Sequence, residues 1–538
     1  MFQKTALIEL IREKVFVTKD DTPIIKSDAL TEGVYLFDFR NILLSPKDLT
    51  LILDGLSEQL SAYQDIQIGG MESAAIPLIT GMILRKGVSG FYMRKSRKKT
   101  GLLRLFEGTI DTKKPVILVD DIINSGTSIM KQIYALEKEG IKVIAVAAIL
   151  RFHPEEWYSE LKERNIKIHS LISHDEIAQV LGVPPISHTK EGASPLTLLT
   201  PRARFSVQNA SFHLVAPRPA PYFDGTYLYT GMDDGYFYAL EPSTLKAIWK
   251  YETGPGSKGK RILSTATGNG KYVFFGSYDG NLTALEASTG KLIWKNEDAD
   301  WIGSSPCFIS ETHSICIGME YAGRVDQGGY TLFDADTGKV LWSMISPKYT
   351  HASPVFSKKY QSIFGGSNDG LFYRLDIHTG KILWMVSVGS EIKARPTLSG
   401  DEEYIIFGAF NGGLYVLETA TGKEIFRFDT KFSLSTIASL DGDRVYFSSP
   451  DKHIYALDFK KKVLLWSFAT GGRIFASPVV KNDMVYCGSN DGDLYVFDKI
   501  DGTLKKKWLG VERIVSPVVF LDEEHFALRT IANELYLF

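Results

Sequence analysis

Residues 115 to 128 read Pro-Val-Ile-Leu-Val-Asp-Asp-Ile-Ile-Asn-Ser-Gly-Thr-Ser: an apolar run, two acids, then small polar residues. Residues 116 to 119 have the continuous apolar character of a buried parallel strand. Ile129, Ile133 and Leu136 then fall on one helical face that ends near Gly140, and a second apolar run follows from 143 to 150. The pattern predicts a βαβ unit. At its turn Ser125, Gly126, Thr127 and Ser128 offer backbone N–H groups, hydroxyls and a helix N-terminus, a combination suited to a phosphate group. Asp120 and Asp121 beside them can accept hydrogen bonds from vicinal sugar hydroxyls and help orient a sugar that carries Mg²⁺. A ribose 5-phosphate satisfies both halves of this arrangement.

The segment resembles the ribose-phosphate motif of type I phosphoribosyltransferases, in particular the orotate phosphoribosyltransferase family. The resemblance extends over roughly residues 20 to 155. Tyr92-Met93-Arg94-Lys95-Ser96-Arg97-Lys98-Lys99-Thr100-Gly101 is similar to that family's basic loop, which places Arg94, Lys95 and Lys98 among the cations expected to neutralise the pyrophosphate leaving group. Lys26-Ser27 resembles its Lys-Ser pair near the pyrophosphate, and Gly69-Gly70-Met71-Glu72-Ser73-Ala74 sits where the family has its pyrophosphate loop. Val34-Tyr35-Leu36-Phe37-Asp38-Phe39-Arg40 resembles the early strand, and Arg151 stands at a strand end where an arginine contacts the orotate carboxylate.

The resemblance implies a Mg²⁺-dependent phosphoribosyltransferase acting on phosphoribosyl diphosphate and a nucleobase. Asp120, Asp121, Lys95 and Lys98 are then the catalytic candidates, and Lys26, Arg94, Asn124, Ser125, Gly126, Thr127, Ser128 and Arg151 the substrate-binding ones. It also implies a homodimer, because the family lends its basic loop to the neighbouring subunit's site. The chain departs from the pattern at Thr100, at Ser73 and Ala74, and at Asn124, which stands for a Thr that touches the base. Those departures leave a non-catalytic sensor of phosphoribosyl diphosphate or nucleotides, or a dimeric interaction scaffold, as alternatives.

The remaining sequence is too long for one core: 538 residues, 44% hydrophobic and 23% charged, call for two or more domains. A formal charge of −2 argues against a nucleic-acid partner. No apolar run reaches membrane-spanning length and the first fourteen residues form an interrupted amphipathic pattern, so the expectation is a cytoplasmic protein with no membrane partner. Cys307, Cys316 and Cys487 lack disulfide or zinc-site spacing and are expected in the core.

Prolines at 184, 185, 195 and 201 punctuate a stretch read as a linker, giving a phosphoribosyltransferase-like α/β domain with a parallel sheet over 1–183, a linker over 184–203 and a repeat region over 204–538. In the last of these, Trp249, Trp294, Trp342, Trp384, Phe426, Trp466 and Trp508 recur at intervals of 45, 48, 42, 42, 40 and 42 residues. Asp-Gly and Thr-Gly-Lys turns between them supply two tight hairpins per repeat, hence four short strands. This period and pattern mean propeller blades, with each aromatic wedged between neighbours. The repeats resemble PQQ-type propellers with a tryptophan-docking motif. Eight blades are expected, seven being the alternative, with residues 205 to 215 closing the last blade. The expected role is an interaction platform. A quinone is not expected, and the stretch 323 to 329 reads as a protruding loop.

Overall fold

In the computed structural model, the described residues are 2–18, 35–94, 105–183, 197–207, 219–254, 262–321 and 327–538. They form two compact units, 1–195 with 509–511, and 196–508 with 512–538. Lys26, Lys95 and Lys98 lie outside the described residues, as does the 322–326 part of the predicted protruding loop.

The N-terminal unit begins with α1 (Lys4–Lys14), β1 (Phe16–Thr18) and β2 (Tyr35–Phe37), the two strands forming a small antiparallel sheet. There follow α2 (Pro46–Gln59), β3 (Gln67–Gly69), α3 (Ala75–Lys86), β4 (Ser89–Met93), β5 (Phe106–Gly108), β6 (Val116–Ile123) and α4 (Thr127–Lys138). The unit ends with β7 (Val143–Arg151), α5 (Ser159–Glu163), β8 (Lys167–Ser173) and α6 (His174–Leu181). Strands β3 to β8 make one six-stranded sheet in the order β5-β4-β3-β6-β7-β8, parallel except for the β4–β5 pair. Its centre is apolar: on one face Ile117, Val119, Ala145, Ala147 and Ile149 pack with Leu53, Leu56, Leu78 and Met82 of α2 and α3, and Val116, Leu118, Val146 and Ala148 of the other face are buried too.

The predicted βαβ unit is β6-α4-β7. The strand runs four residues beyond the predicted 116–119, because pairing with β7 continues through Asp120↔Ala148, Ile122↔Leu150 and Ile123↔Arg151. Both acids therefore belong to a strand rather than to the loop after it.

The C-terminal unit is an eight-bladed propeller of four-stranded antiparallel sheets. Blade one comprises Tyr222–Phe223, Leu228–Gly231, Tyr236–Leu240 and Ala247–Glu252. Blade eight comprises Val519–Phe520, Phe526–Arg529 and Glu534–Leu537, and its outer strand is Ala203–Ser206 from the start of the unit. The ends of the ring are thus zipped together as expected, by a strand over 203–206 that overlaps the expected 205–215 at 205–206; residues 208–215 lie outside the described residues. Within the stretch read as a linker, Thr197–Leu198 adds a fifth strand, parallel to Lys506 and Lys507 of blade seven.

The tryptophans join successive blades by a repeated contact. Indole N–H groups donate to the next blade's backbone: Trp249 to Ala287 at 3.0 Å, Trp294 to Ala335 at 2.9 Å, Trp342 to Ile377 at 2.7 Å, Trp384 to Thr419 at 3.3 Å and Trp466 to Lys499 at 3.2 Å. Each ring also lies against the glycine of the next blade's turn. A Cβ on Gly290, Gly338, Gly380 or Gly502 would come within 2.6 Å of the preceding Trp, and one on Gly422 within 2.9 Å. Two blades carry a side chain at that left-handed turn position, Leu245 (φ +56°) and Lys462 (φ +60°). Both follow an outer strand without Trp, Ala203–Ser206 with Phe205 and Glu424–Asp429 with Phe426. The smaller ring leaves room for the Cβ.

The joint between blades eight and one is polar as well as apolar. Fully buried Arg529 donates to the Gly231 carbonyl at 2.5 Å and to Asn533 at 2.9 Å, with Asp233 4.0 Å away. Cys316 and Cys487 are buried in the blades and Cys307 is half-buried, all three as free thiols.

Candidate functional site

The site lies at the carboxyl end of β6. Asp121 N–H donates to Asp120 Oδ1 at 3.0 Å and Ile122 N–H to Asp121 Oδ1 at 2.9 Å, so each carboxylate is braced by the backbone that follows it. Burial pushes the Asp121 carboxyl up, and the nearby Asp38 carboxylate adds to this, against hydrogen bonding from Asp120 and the backbone. Asp38 itself is held below the usual carboxylate range by the Arg40 guanidinium, which makes two contacts with it at 2.8 and 2.7 Å. The residues that follow strand β2 thereby bring an acid–base pair within electrostatic reach of Asp121.

After β6, Asn124 to Gly126 form the turn and α4 starts at Thr127. Gly126 takes the helix N-cap position with φ +84°. Ser125 Oγ lies 3.1 Å from Thr127 Oγ1 and 3.4 Å from the Thr127 nitrogen, so Ser125, Gly126, Thr127 and Ser128 are gathered around the opening turn of the helix. A helix N-terminus with its dipole and the hydroxyls of Ser125, Thr127 and Ser128 thus share one turn, a set of groups with affinity for an anion.

Tyr158 supports this turn and has no precedent in the sequence reading. Its hydroxyl donates to the Asn124 carbonyl at 2.8 Å and lies 3.2 Å from that of Ile123, while His153 N–H donates to it at 3.3 Å. Its ring covers Gly126, where an added Cβ would sit 3.1 Å away. A tyrosine between two charged runs carries no local signal of such a role. Gly126→Ala, which combines a left-handed backbone with contact against a buried ring, is expected to cost about 1–2 kcal/mol. Its measured consequence should be a small loss of melting temperature.

The Gly-led loop after β3 closes another side. Met93 N–H donates to Gly70 O at 2.7 Å and Glu72 N–H to Met93 O at 2.9 Å, which fastens the loop to β4. Gly70 is required by packing, since a Cβ there would lie 2.5 Å from the Val119 carbonyl. Ser128 Oγ is 3.8 Å from Met71 Sδ, so this loop and the 125–128 turn are neighbours. Arg94 follows β4 and pairs with Glu107 of β5 at 3.6 Å, while its buried Nε has no hydrogen-bond partner among the described residues. Arg151 ends β7: its Nε reaches Ser170 at 3.4 Å, and its buried Nη1 has no hydrogen-bond partner among the described residues. The fold therefore gathers Asp120, Asp121, Asn124, Ser125, Gly126, Thr127 and Ser128 on one strand–helix turn, and sets Arg151 at the end of the adjacent strand.

Comparison with known proteins divides in the same way as the fold. The family model described as outer membrane protein assembly factor BamB, a PQQ-type repeat family, matches residues 202–314, 326–409 and 410–529. The chain belongs to this family. Its BamB-type propeller is similar in fold to BamB from Moraxella catarrhalis, with a TM-score of 0.52 and 16% identity over 63% of this chain and 96% of that one. A europium-containing methanol dehydrogenase shares the fold with a TM-score of 0.53 and 13% identity, over 63% of this chain and 92% of that one.

The N-terminal part matches enzymes of another kind. An orotate phosphoribosyltransferase of Lactobacillus johnsonii is 28% identical over 179 residues, 33% of this chain and 84% of the relative. A bifunctional PyrF/PyrE enzyme of Nostoc is 28% identical over 147 residues, which span 27% of this chain and 31% of that longer protein. The N-terminal unit is a phosphoribosyltransferase-type domain of the type I fold, joined here to a BamB-type propeller.

Proposed function

We propose that the protein is a phosphoribosyltransferase that transfers ribose 5-phosphate from phosphoribosyl diphosphate to orotate or a closely related nucleobase. The carrying observation is the juxtaposition of the Asp120-Asp121 strand end and the Ser125–Ser128 turn with Arg151 on the adjacent strand, whose buried Nη1 has no hydrogen-bond partner among the described residues. In this reading the turn holds the 5-phosphate, and the two aspartates accept hydrogen bonds from the ribose hydroxyls. Arg151 receives an anionic group on the acceptor. The reaction breaks the anomeric C–O bond to pyrophosphate and forms a C–N bond to the base. The transition state has oxocarbenium character, so positioning and charge stabilisation matter more than proton transfer.

Mg²⁺ fits the site as a companion of the substrate. Among the described residues no group of three or more His, Cys, Asp or Glu side chains converges. Two adjacent carboxylates suit an ion that keeps water and takes its other ligands from diphosphate oxygens. Bound there, it supplies charge neutralisation at the leaving pyrophosphate. Asp120 and Asp121 orient the pentose beside it, and the resemblance assigns Lys26, Arg94, Lys95 and Lys98 the role of neutralising the pyrophosphate.

A homodimer accompanies this reading. An apolar cavity of about 590 Å³ lined by Leu43, Leu44, Leu49, Leu53, Pro77 and Leu84 lies between α2 and α3, and Leu44 and Leu84 are 79% and 80% exposed. An exposed patch of this kind suits a protein partner, and a second copy is the one proposed. The propeller is proposed to act as a rigid interaction platform.

Pyrophosphate release from phosphoribosyl diphosphate and Mg²⁺ should occur with orotate, or with one member of a pyrimidine and purine base panel, and nucleotide formation by chromatography checks it. Binding without turnover across the whole panel would replace this reading by the sensor.

A further inference from the structure

The outer strand of a propeller blade is a sheet edge, and an edge strand carries N–H and C=O groups that can pair with another chain. Blade seven shows such pairing within the molecule. Thr197–Leu198 adds to its outer strand, Leu504–Leu509, in parallel register with Lys506 and Lys507, and Leu199 N–H donates to the Lys507 carbonyl at 2.8 Å. Leu199 then packs against the core around Trp508. Lys507 is no obstacle, because its ammonium pairs with Asp493 at 2.8 Å. The added segment belongs to the uncharged run Pro-Leu-Thr-Leu-Leu-Thr-Pro over 195–201.

The other edges differ in what they expose. Along the exposed side of its outer strand, blade one presents Ile248, Lys250 and Glu252, blade two Ile293 and Lys295, blade five Arg427 and Asp429, and blade eight Arg204. Charged side chains at an edge discourage a further strand. The outer strand of blade four, Ile382–Ser387, has no charged residue. Leu383 is 50% and Met385 55% exposed, and Trp384 and Val386 on the opposite side are only half-buried. Blades three and six are also uncharged there. Blade three, however, breaks its apolar row with Ser343 and buries Trp342 and Met344, and blade six follows Leu465 with Ser467 and Ala469. Among the described residues no further strand pairs with Ile382–Ser387.

We propose that the outer edge of blade four binds an extended, uncharged segment of a partner polypeptide, which adds as a fifth strand as Thr197–Leu198 does on blade seven. Backbone pairing supplies affinity, and alternate apolar side chains of the partner lie over Leu383 and Met385 on one side and over Trp384 and Val386 on the other. The proposal rests on the platform reading of the propeller and gives that platform a surface and a ligand chemistry.

Fluorescence anisotropy of the full chain with a dye-labelled peptide of residues 194–201, Ser-Pro-Leu-Thr-Leu-Leu-Thr-Pro, tests this. Saturable binding is expected, weakened about tenfold or more by Met385→Lys and unchanged by Ser467→Lys on blade six. Both positions are exposed, so neither substitution should move the melting temperature. Two further peptides, N-methylated at Leu196 and Leu198 or at Thr197 and Leu199, each lose alternate backbone donors. One of them should bind about tenfold more weakly than the other, because only one set of N–H groups faces the edge. Absence of saturable binding, or equal affinity of the two methylated peptides, overturns the proposal. Saturable binding that survives Met385→Lys also overturns it, while leaving the platform reading in place. Sedimentation in which Met385→Lys dissolves a dimer of the full chain overturns it in favour of a second copy on this edge.

Discussion

Asp121→Asn is expected to lower turnover by about 10²–10³-fold while leaving the N-terminal domain as stable as before, or more so. The first half follows from the site. Asp121 presents acceptor oxygens toward the carboxyl end of β6, where the ribose hydroxyls are proposed to sit, and Asn supplies one acceptor, one donor and no charge. The second half follows from linkage. Burial is the main cause that holds the Asp121 carboxyl above its ordinary range, so the ionised form is disfavoured in the folded protein. The unfolded chain ionises first, and the stability associated with the neutral acid is lost as pH rises through the folded-state value. At neutral pH the carboxylate is therefore a cost to the fold, which Asn removes while keeping an oxygen for the Ile122 N–H. Melting curves should show a gain for Asp121→Asn that is larger at pH 7.5 than at pH 4. A variant with normal turnover, or with lost turnover only because it unfolds, would refute the assignment.

Trp342→Ala is expected to destabilise the propeller by about 3–5 kcal/mol. The indole is 8% exposed and its N–H donates to the Ile377 carbonyl at 2.7 Å. Truncation removes a large buried ring, orphans that carbonyl and opens a cavity between blades three and four. Gly380 sharpens the test. Its φ of +68° and the 2.6 Å approach of Trp342 to an added Cβ make Gly380→Ala destabilising for two reasons, backbone strain and a clash. In the Trp342→Ala background the clash disappears and only the backbone part remains, about 1 kcal/mol, so the two substitutions should be strongly non-additive. Chemical unfolding followed for the two units separately, with the double-mutant cycle at these positions, checks this. Additive losses would mean that the ring and the turn glycine do not meet as described.

The natural sequence already contains a version of that cycle. Lys462 and Leu245 hold the left-handed turn position elsewhere reserved for glycine, and the strands before them carry Phe426 and Phe205 in place of tryptophan. Periodicity alone made the blades legible, because each blade repeats the same two hairpins and the same outer aromatic. What it left obscure was which loss of glycine matched which loss of tryptophan, since the two positions lie some 36 to 40 residues apart in sequence.

The catalytic half shows the same boundary. The strand, the two acids and the small polar turn occupy fourteen consecutive residues, and their geometry depends on hydrogen bonds between near neighbours, so the strand–turn–helix could be read from 115–128. Tyr158 lies more than thirty residues from the turn it braces, and nothing around it marks it out. Arg151 was visible as a strand-end charge, but its contact with Ser170 of β8 depends on the pairing of two strands.

The order of residues by itself determined the βαβ unit and the tryptophan-docked blades, because each rests on turn chemistry and hydrophobic period within a few residues. Only the tertiary structure decided that Ala203–Ser206 closes blade eight, that Thr197–Leu198 extends blade seven, and that Tyr158 braces the turn after β6. A strand pairs with whatever edge the rest of the fold leaves free, and a buried polar group is defined by what surrounds it from distant parts of the chain.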